Sequence, residues 1–169
     1  MEEIILQRKL EALGQNGTLI RKDGKTFLQL DCENAKELSM KWGEKLYPFT
    51  KTGKKWILEL PFSTAVNYVQ ICVDGQEVLS PDLPIAHGYC RPYNYIELPD
   101  EEGLFELRDV PHGTLTQEFY KSKISDNWEK LIVYLPPCVP SAGLPVLYLQ
   151  HGFGESEISW STTGKVNFL

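Results

Sequence analysis

The chain has 169 residues and a mass of 19.3 kDa; 42% of its residues are hydrophobic, 24% are charged, and the formal net charge is −6. That length holds one large domain, or a small domain and part of another, and the composition is that of an ordinary globular protein. The acidic excess is spread along the chain, without the clustered basic face that nucleic acid requires, and no segment approaches the ~20 apolar residues of a membrane-spanning helix.

The amino terminus, Met1-Glu-Glu-Ile-Ile-Leu-Gln-Arg-Lys-Leu10, opens on acids and has only three consecutive apolar residues. A signal peptide needs a basic start and a longer apolar stretch. Ile4, Ile5, Leu6, Leu10 and Leu13 instead predict a short amphipathic helix within a lead-in over residues 1–16. After it the chain becomes a series of short strands. Residues 18–22 and 25–30 flank Asp23-Gly24, a pair that accepts the positive φ angles of a tight hairpin. Strands are predicted over 35–41, 54–60 and 67–73, and a second pair, Asp74-Gly75, turns into 76–79. Turns at this spacing predict an antiparallel β-sandwich over residues 17–100. Its core is expected to hold Leu28, Leu30, Leu38, Met40, Trp56, Leu58, Tyr68 and Ile71. Residues 81–99, rich in proline and aromatics and without periodicity, read as an extended packed segment. The charged stretch Asp100-Glu-Glu-Gly103 then leads into a linker over residues 101–108.

Beyond the linker, residues 115–122 and 129–135 alternate as strands do, joined by a polar turn at 123–127 and closed by Pro136-Pro137. The next stretch, Leu144-Pro-Val-Leu-Tyr-Leu-Gln-His-Gly-Phe-Gly154, is an unbroken apolar run that ends in glycines. A run that does not alternate predicts a strand, over 146–150, buried on both faces as in a parallel sheet. The glycines mark a tight loop where the backbone approaches a ligand closely and aims its N–H groups at developing negative charge. His151, Gly152, Phe153 and Gly154 therefore have the layout of an oxyanion hole. Residues 162–169 are expected to open a helix. The fold class that results is mainly β: a sandwich, then the first strands of an α/β sheet.

Other chemistry is weaker. Cys32, Cys72, Cys90 and Cys138 stand at wide irregular spacings without a Cys-x-x-Cys, which favours free structural thiols in a cytoplasmic protein. His87, His112 and His151 each precede a glycine, but they are scattered and form no zinc set, so no metal and no cofactor is expected. Only His151 follows an apolar strand; the other two read as loop histidines hydrogen-bonded locally. Gly154-Glu-Ser-Glu-Ile158 lacks the second glycine of a Gly-x-Ser-x-Gly elbow, so Ser156 reads as a turn or cap residue and no nucleophile is assigned. Trp42, Tyr47, Phe49, Tyr89, Tyr93 and Tyr95 are candidates for a carbohydrate platform, although a sandwich of this size needs large side chains for its own core and interfaces.

Val110-Pro-His-Gly113, Val133-Tyr-Leu-Pro-Pro137, the run ending in His151-Gly152, and Glu157 with Trp160, Gly164 and Asn167 together resemble the start of the carbohydrate-esterase branch of the α/β-hydrolases. That branch holds the feruloyl esterases, enterochelin esterases and the esterase D group. The likeness covers residues 109–169. Asn127-Trp-Glu-Lys130 departs from the pair of arginines usual before the second strand. Lys55-Trp56, Tyr68 and Val73-Asp-Gly-Gln-Glu-Val-Leu-Ser-Pro81 resemble the early-set, immunoglobulin-like domain found before such esterases and related to glycogen-binding modules. An early-set domain argues against the S-formylglutathione hydrolases of the same group. In that family the position of Phe153 supplies an oxyanion-hole N–H, and the serine, acid and histidine come later in the chain. The resemblance thus implies the amino-terminal portion of a serine carboxylic-ester hydrolase acting on carbohydrate-linked acyl esters such as feruloyl or acetyl groups, inactive as this chain alone. The alternatives are a siderophore esterase and a non-catalytic carbohydrate-binding or scaffolding module. The partners expected are an acylated carbohydrate or other small ester, with no nucleic acid and no membrane, and self-association through uncovered hydrolase strands.

Overall fold

The computed structural model describes residues 3–4, 18–99, 102–140 and 143–168. Strand β1 (Glu3–Ile4) lies antiparallel against β2 (Leu19–Lys22), with Glu3 opposite Arg21 and Ile4 opposite Ile20. The helical lead-in is therefore contradicted at these two residues: a β-branched Ile4 beside an open strand edge gains ladder bonds that outweigh a weak helical periodicity. The rest of that segment lies outside the described residues.

Asp23 and Gly24 both have positive φ, 51° and 75°, the left-handed pair that a type I′ turn requires. They bring β2 directly onto β3 (Lys25–Asp31), Lys22 facing Lys25. The chain then runs through β4 (Leu38–Trp42), β5 (Lys45–Pro48), β6 (Thr50–Thr52), β7 (Lys55–Glu59), β8 (Val66–Val73), β9 (Gln76–Val78), β10 (Ile85–Gly88) and β11 (Arg91–Glu97). One sheet has the order β1-β2-β3-β7-β6; the other has β10-β11-β8-β4-β5, with β9 added to β8. The chain changes sheet at Phe49, a buried residue whose N–H donates to Leu38 O at 2.9 Å.

Alternation decides what faces inward. Leu19, Leu28, Leu30, Trp56 and Leu58 from the first sheet share one hydrophobic cluster with Leu38, Met40, Val69, Ile71 and Ile96 from the second. Burying each such side chain is worth about 1.5–3 kcal/mol. Seven of the eight expected core residues are buried, and Tyr68 is the exception. It has the opposite parity to Val69 and Ile71, so it lies on the outer face and packs edge-on against Tyr93, centroids 5.9 Å apart. Residues 81–99 are also corrected, since β10 and β11 lie within them. What conceals the pattern is Asn94, a polar residue at a core position.

By compactness the chain divides into two units. The first comprises Met1–Ala86 with Pro92–Pro99, the second His87–Arg91 with Asp100–Leu169. In the second, β12 (Thr114–Lys121) pairs with β13 (Trp128–Leu135) from Thr114 opposite Leu135 to Lys121 opposite Trp128. Gly113 precedes β12 where an added Cβ would lie 2.2 Å from Leu135 O, so only glycine fits. Ser122 Oγ accepts the N–H groups of Ile124 and Ser125 in the polar turn that joins the strands.

The expected strand over 146–150 does not form. This stretch joins no ladder among the described residues, and Val146, Leu147 and Tyr148 are 70, 77 and 88% exposed. A parallel strand depends on neighbours at both edges and cover on both faces, and apolar character alone supplies neither. Past the loop, α1 (Ser159–Thr162) and a 3₁₀ turn (Val166–Phe168) replace the helix expected over 162–169. The helical turn starts earlier because the N–H of Ser159 donates to Ser156 O at 3.0 Å and that of Thr162 to Ile158 O at 2.9 Å.

Candidate oxyanion loop

His151, Gly152, Phe153 and Gly154 form a tight turn held by its own polar groups. The Gly152 N–H donates to Glu155 Oε2 at 3.1 Å, and the Glu155 N–H returns to Gly152 O at 3.2 Å. His151 Nδ1 also lies 2.9 Å from Gly152 O. Among the described residues the Phe153 N–H has no hydrogen-bond partner, and its side chain is 84% exposed. An amide left open next to a carbonyl held in place is the arrangement a negatively charged oxygen would use.

The ends of the loop are fixed as well. Trp160 Nε1 donates to Gln150 O at 3.0 Å, which ties α1 to the residue before His151. Glu157 meets Lys130 of β13 at 2.6 Å. The Lys130 hydrogen bond holds the Glu157 carboxyl below the usual carboxylate range, with a further contribution from His151. At the other end, the Cys90 N–H donates to Gly154 O at 3.2 Å, and Gly154 has φ +71°. Sequence reasoning named the His151–Gly154 loop as a candidate but did not name Glu155, Cys90, Lys130 and Trp160 as the residues bonded to or beside it. Only Trp160 and Glu157 carried a signal, through the family likeness.

The remaining candidates fall elsewhere. The Ser156 N–H donates to Ser159 Oγ at 3.2 Å within the turn before α1. His112 Nε2 lies 2.7 Å from Arg108 O, a local loop contact. Among the described residues no three His, Cys, Asp or Glu side chains gather as a metal site would need, and all four cysteines are unpaired. The six aromatics do not form one platform. Phe49 is buried in the core, Trp42 packs on Tyr47 and Phe62 at 6.4 and 5.0 Å, and Tyr93 and Tyr95 share the outer face of the second sheet with Tyr68. Burial pushes the Tyr95 hydroxyl up, with Glu97 adding to the effect.

The chain is 26% identical over 170 residues to an endo-1,4-beta-xylanase/feruloyl esterase of Xylanibacter ruminicola. The match takes in 92% of this chain and 23% of that protein's length. No protein-family model matches. The kinship is distant, and it is with a carbohydrate-esterase-related protein.

Proposed function

We propose that this chain is the amino-terminal portion of a serine carboxylic-ester hydrolase that removes feruloyl or acetyl groups from plant-polysaccharide fragments. In this reading residues 17–100 are an early-set, immunoglobulin-like domain, and residues 109–169 are the start of an α/β-hydrolase domain. The nucleophilic serine and its acid and base are supplied from outside the chain. The observation that carries the reading is the Phe153 N–H, open on a glycine loop whose neighbouring carbonyl is held. The distant likeness to a xylanase/feruloyl esterase supports the substrate class.

During ester cleavage the carbonyl oxygen gains negative charge as the serine attacks. The Phe153 amide stabilises that charge, and His151 and Glu155 keep the amide oriented. Such a donor is worth ~2.7–4 kcal/mol of barrier. Phe153→Pro removes the N–H, and it also fixes φ near about −65° and restricts Gly152 before it, so the variant's fold is checked alongside its rate. In the complete esterase it is expected to lower kcat ~10²–10³-fold with KM little changed. A folded variant with kcat unchanged on methyl ferulate would exclude the loop from the chemistry.

A second reading is a non-catalytic carbohydrate-binding module, and one observation favours it: Tyr68, Tyr93 and Tyr95 lie together on the sheet face turned away from the core. It predicts that this chain is retarded in xylan-containing gels and that Tyr93→Ala abolishes the retardation. Migration unaffected by xylan would end that reading.

A further inference from the structure

Tyr89 and Cys90 form the two-residue tip between β10 and β11, with φ of 50° and 63°. The other paired left-handed turns use Asp-Gly, at Asp23-Gly24 and Asp74-Gly75. Two consecutive non-glycine residues in this conformation are sterically disfavoured, because Cβ crowds the following carbonyl oxygen. Strain of this kind persists where the surroundings over-determine it, and it gathers at working sites. Here the surroundings include the β10–β11 pair that the tip joins and, against its backbone, Gly154. Its backbone comes so close that an added Cβ would lie 2.1 Å from Cys90 N and 2.6 Å from the Tyr89 carbonyl carbon.

The contact leads to Phe153 through planar peptide groups, each carrying a carbonyl and an N–H on opposite sides. The Cys90 N–H donates to Gly154 O at 3.2 Å. The same peptide unit bears the Glu155 N–H, which donates to Gly152 O at 3.2 Å. That next unit bears the Phe153 N–H. Hydrogen-bonded amides in series polarise one another, so the last donor is both oriented and strengthened.

We propose that the tip His87–Arg91 is a positioning element: Cys90 heads a relay of peptide groups that sets the Phe153 amide for its task. The kinetic arm of the test rests on the esterase reading; the exchange arm does not. In the unaltered 169-residue chain, hydrogen exchange should show the amides of Cys90 and Glu155 protected together. Gly154→Ala is expected to lower both protections at least tenfold. In the complete esterase it should lower kcat at least tenfold with KM within about twofold, because small misplacements of a transition-state group act on kcat. Tyr89→Asn combined with Cys90→Gly keeps the amide and relieves the strained backbone, so protection should rise at Cys90 and at Glu155 in parallel. A rise at Cys90 alone, free exchange of Cys90 in the unaltered chain, or a folded Gly154→Ala esterase with kcat unchanged would each overturn the relay. An unaltered protein that hydrolyses no ester would sink the esterase reading instead and leave the exchange results to decide the relay.

Discussion

The side chain of Asn94 is fully buried and wholly committed to backbone. Its Oδ1 accepts the Ser80 N–H at 2.8 Å, and its Nδ2 donates to Ser80 O at 3.0 Å and Leu83 O at 3.2 Å. Asn94→Ala would leave the Ser80 N–H buried without a partner, so a loss of about 1–3 kcal/mol is expected in urea unfolding. A loss below about 0.5 kcal/mol would mean that water replaces the side chain. Asp74 acts at the surface by the same means, its Oδ1 accepting the N–H groups of Lys36 and Glu37 at 2.8 and 2.9 Å. Those bonds hold its carboxyl below the usual range. A depressed carboxylate stabilises the fold above its unfolded pKa of ~3.9, and the contribution is lost as pH falls through the folded value. Asp74→Asn keeps an acceptor but no charge. Its thermal midpoint should therefore fall less steeply than the parent's below about pH 4, and parallel curves would show that the bonds carry no pH dependence. Neither role was legible in the sequence: Asn94 broke the alternation of residues 91–97, and Asp74 was read only for its turn.

At the scale of elements, parity was the most readable property and the easiest to misapply. Leu28, Leu30, Trp56 and Leu58 are buried as their alternation predicts, whereas Tyr68 and Ile71 cannot both face inward from one strand. Ile71→Ala should cost about 2–5 kcal/mol, and Tyr68→Ala, on the outer face, distinctly less; equal losses would contradict the register. Strands β5 and β6 went unread although Gly43-Glu44 and Gly53-Lys54 carry the Gly-x signature of type II′ hairpins, with Gly43 and Gly53 at φ of 59° and 62°. The tip at Tyr89 and Cys90 had no such signature, because its residues are the wrong ones for the turn they make. In the candidate loop, glycine matters unevenly. An added Cβ at Gly152 would meet only the flexible end of Glu155 at 3.3 Å, whereas at Gly154 it would strike backbone.

Over the whole molecule the two units differ in how their apolar residues are used. The first has a shared core beneath two sheets. In the second, β12 and β13 form a ribbon on which Phe119 and Trp128 are 62 and 72% exposed, and residues 146–149 are exposed as well. The sequence marked 146–150 as apolar but could not show that a strand needs edges to pair with. In proteins generally, exposed apolar surface of this kind marks a place where other surfaces pack. In a monodisperse sample the amides over 146–150 should exchange far faster than those of Lys55–Glu59; equal protection would make this stretch part of a finished sheet.

The central claim is that the chain contributes a transition-state donor to an esterase whose nucleophile lies beyond it. Initial rates of methyl ferulate hydrolysis, compared between this chain and the longer protein proposed to contain it, test that claim most directly. The account predicts saturable turnover by the longer protein and no rate above buffer for the 169-residue chain. Turnover by this chain alone, stopped by a serine-directed phosphonate, would contradict it, as would a longer protein that leaves the ester intact.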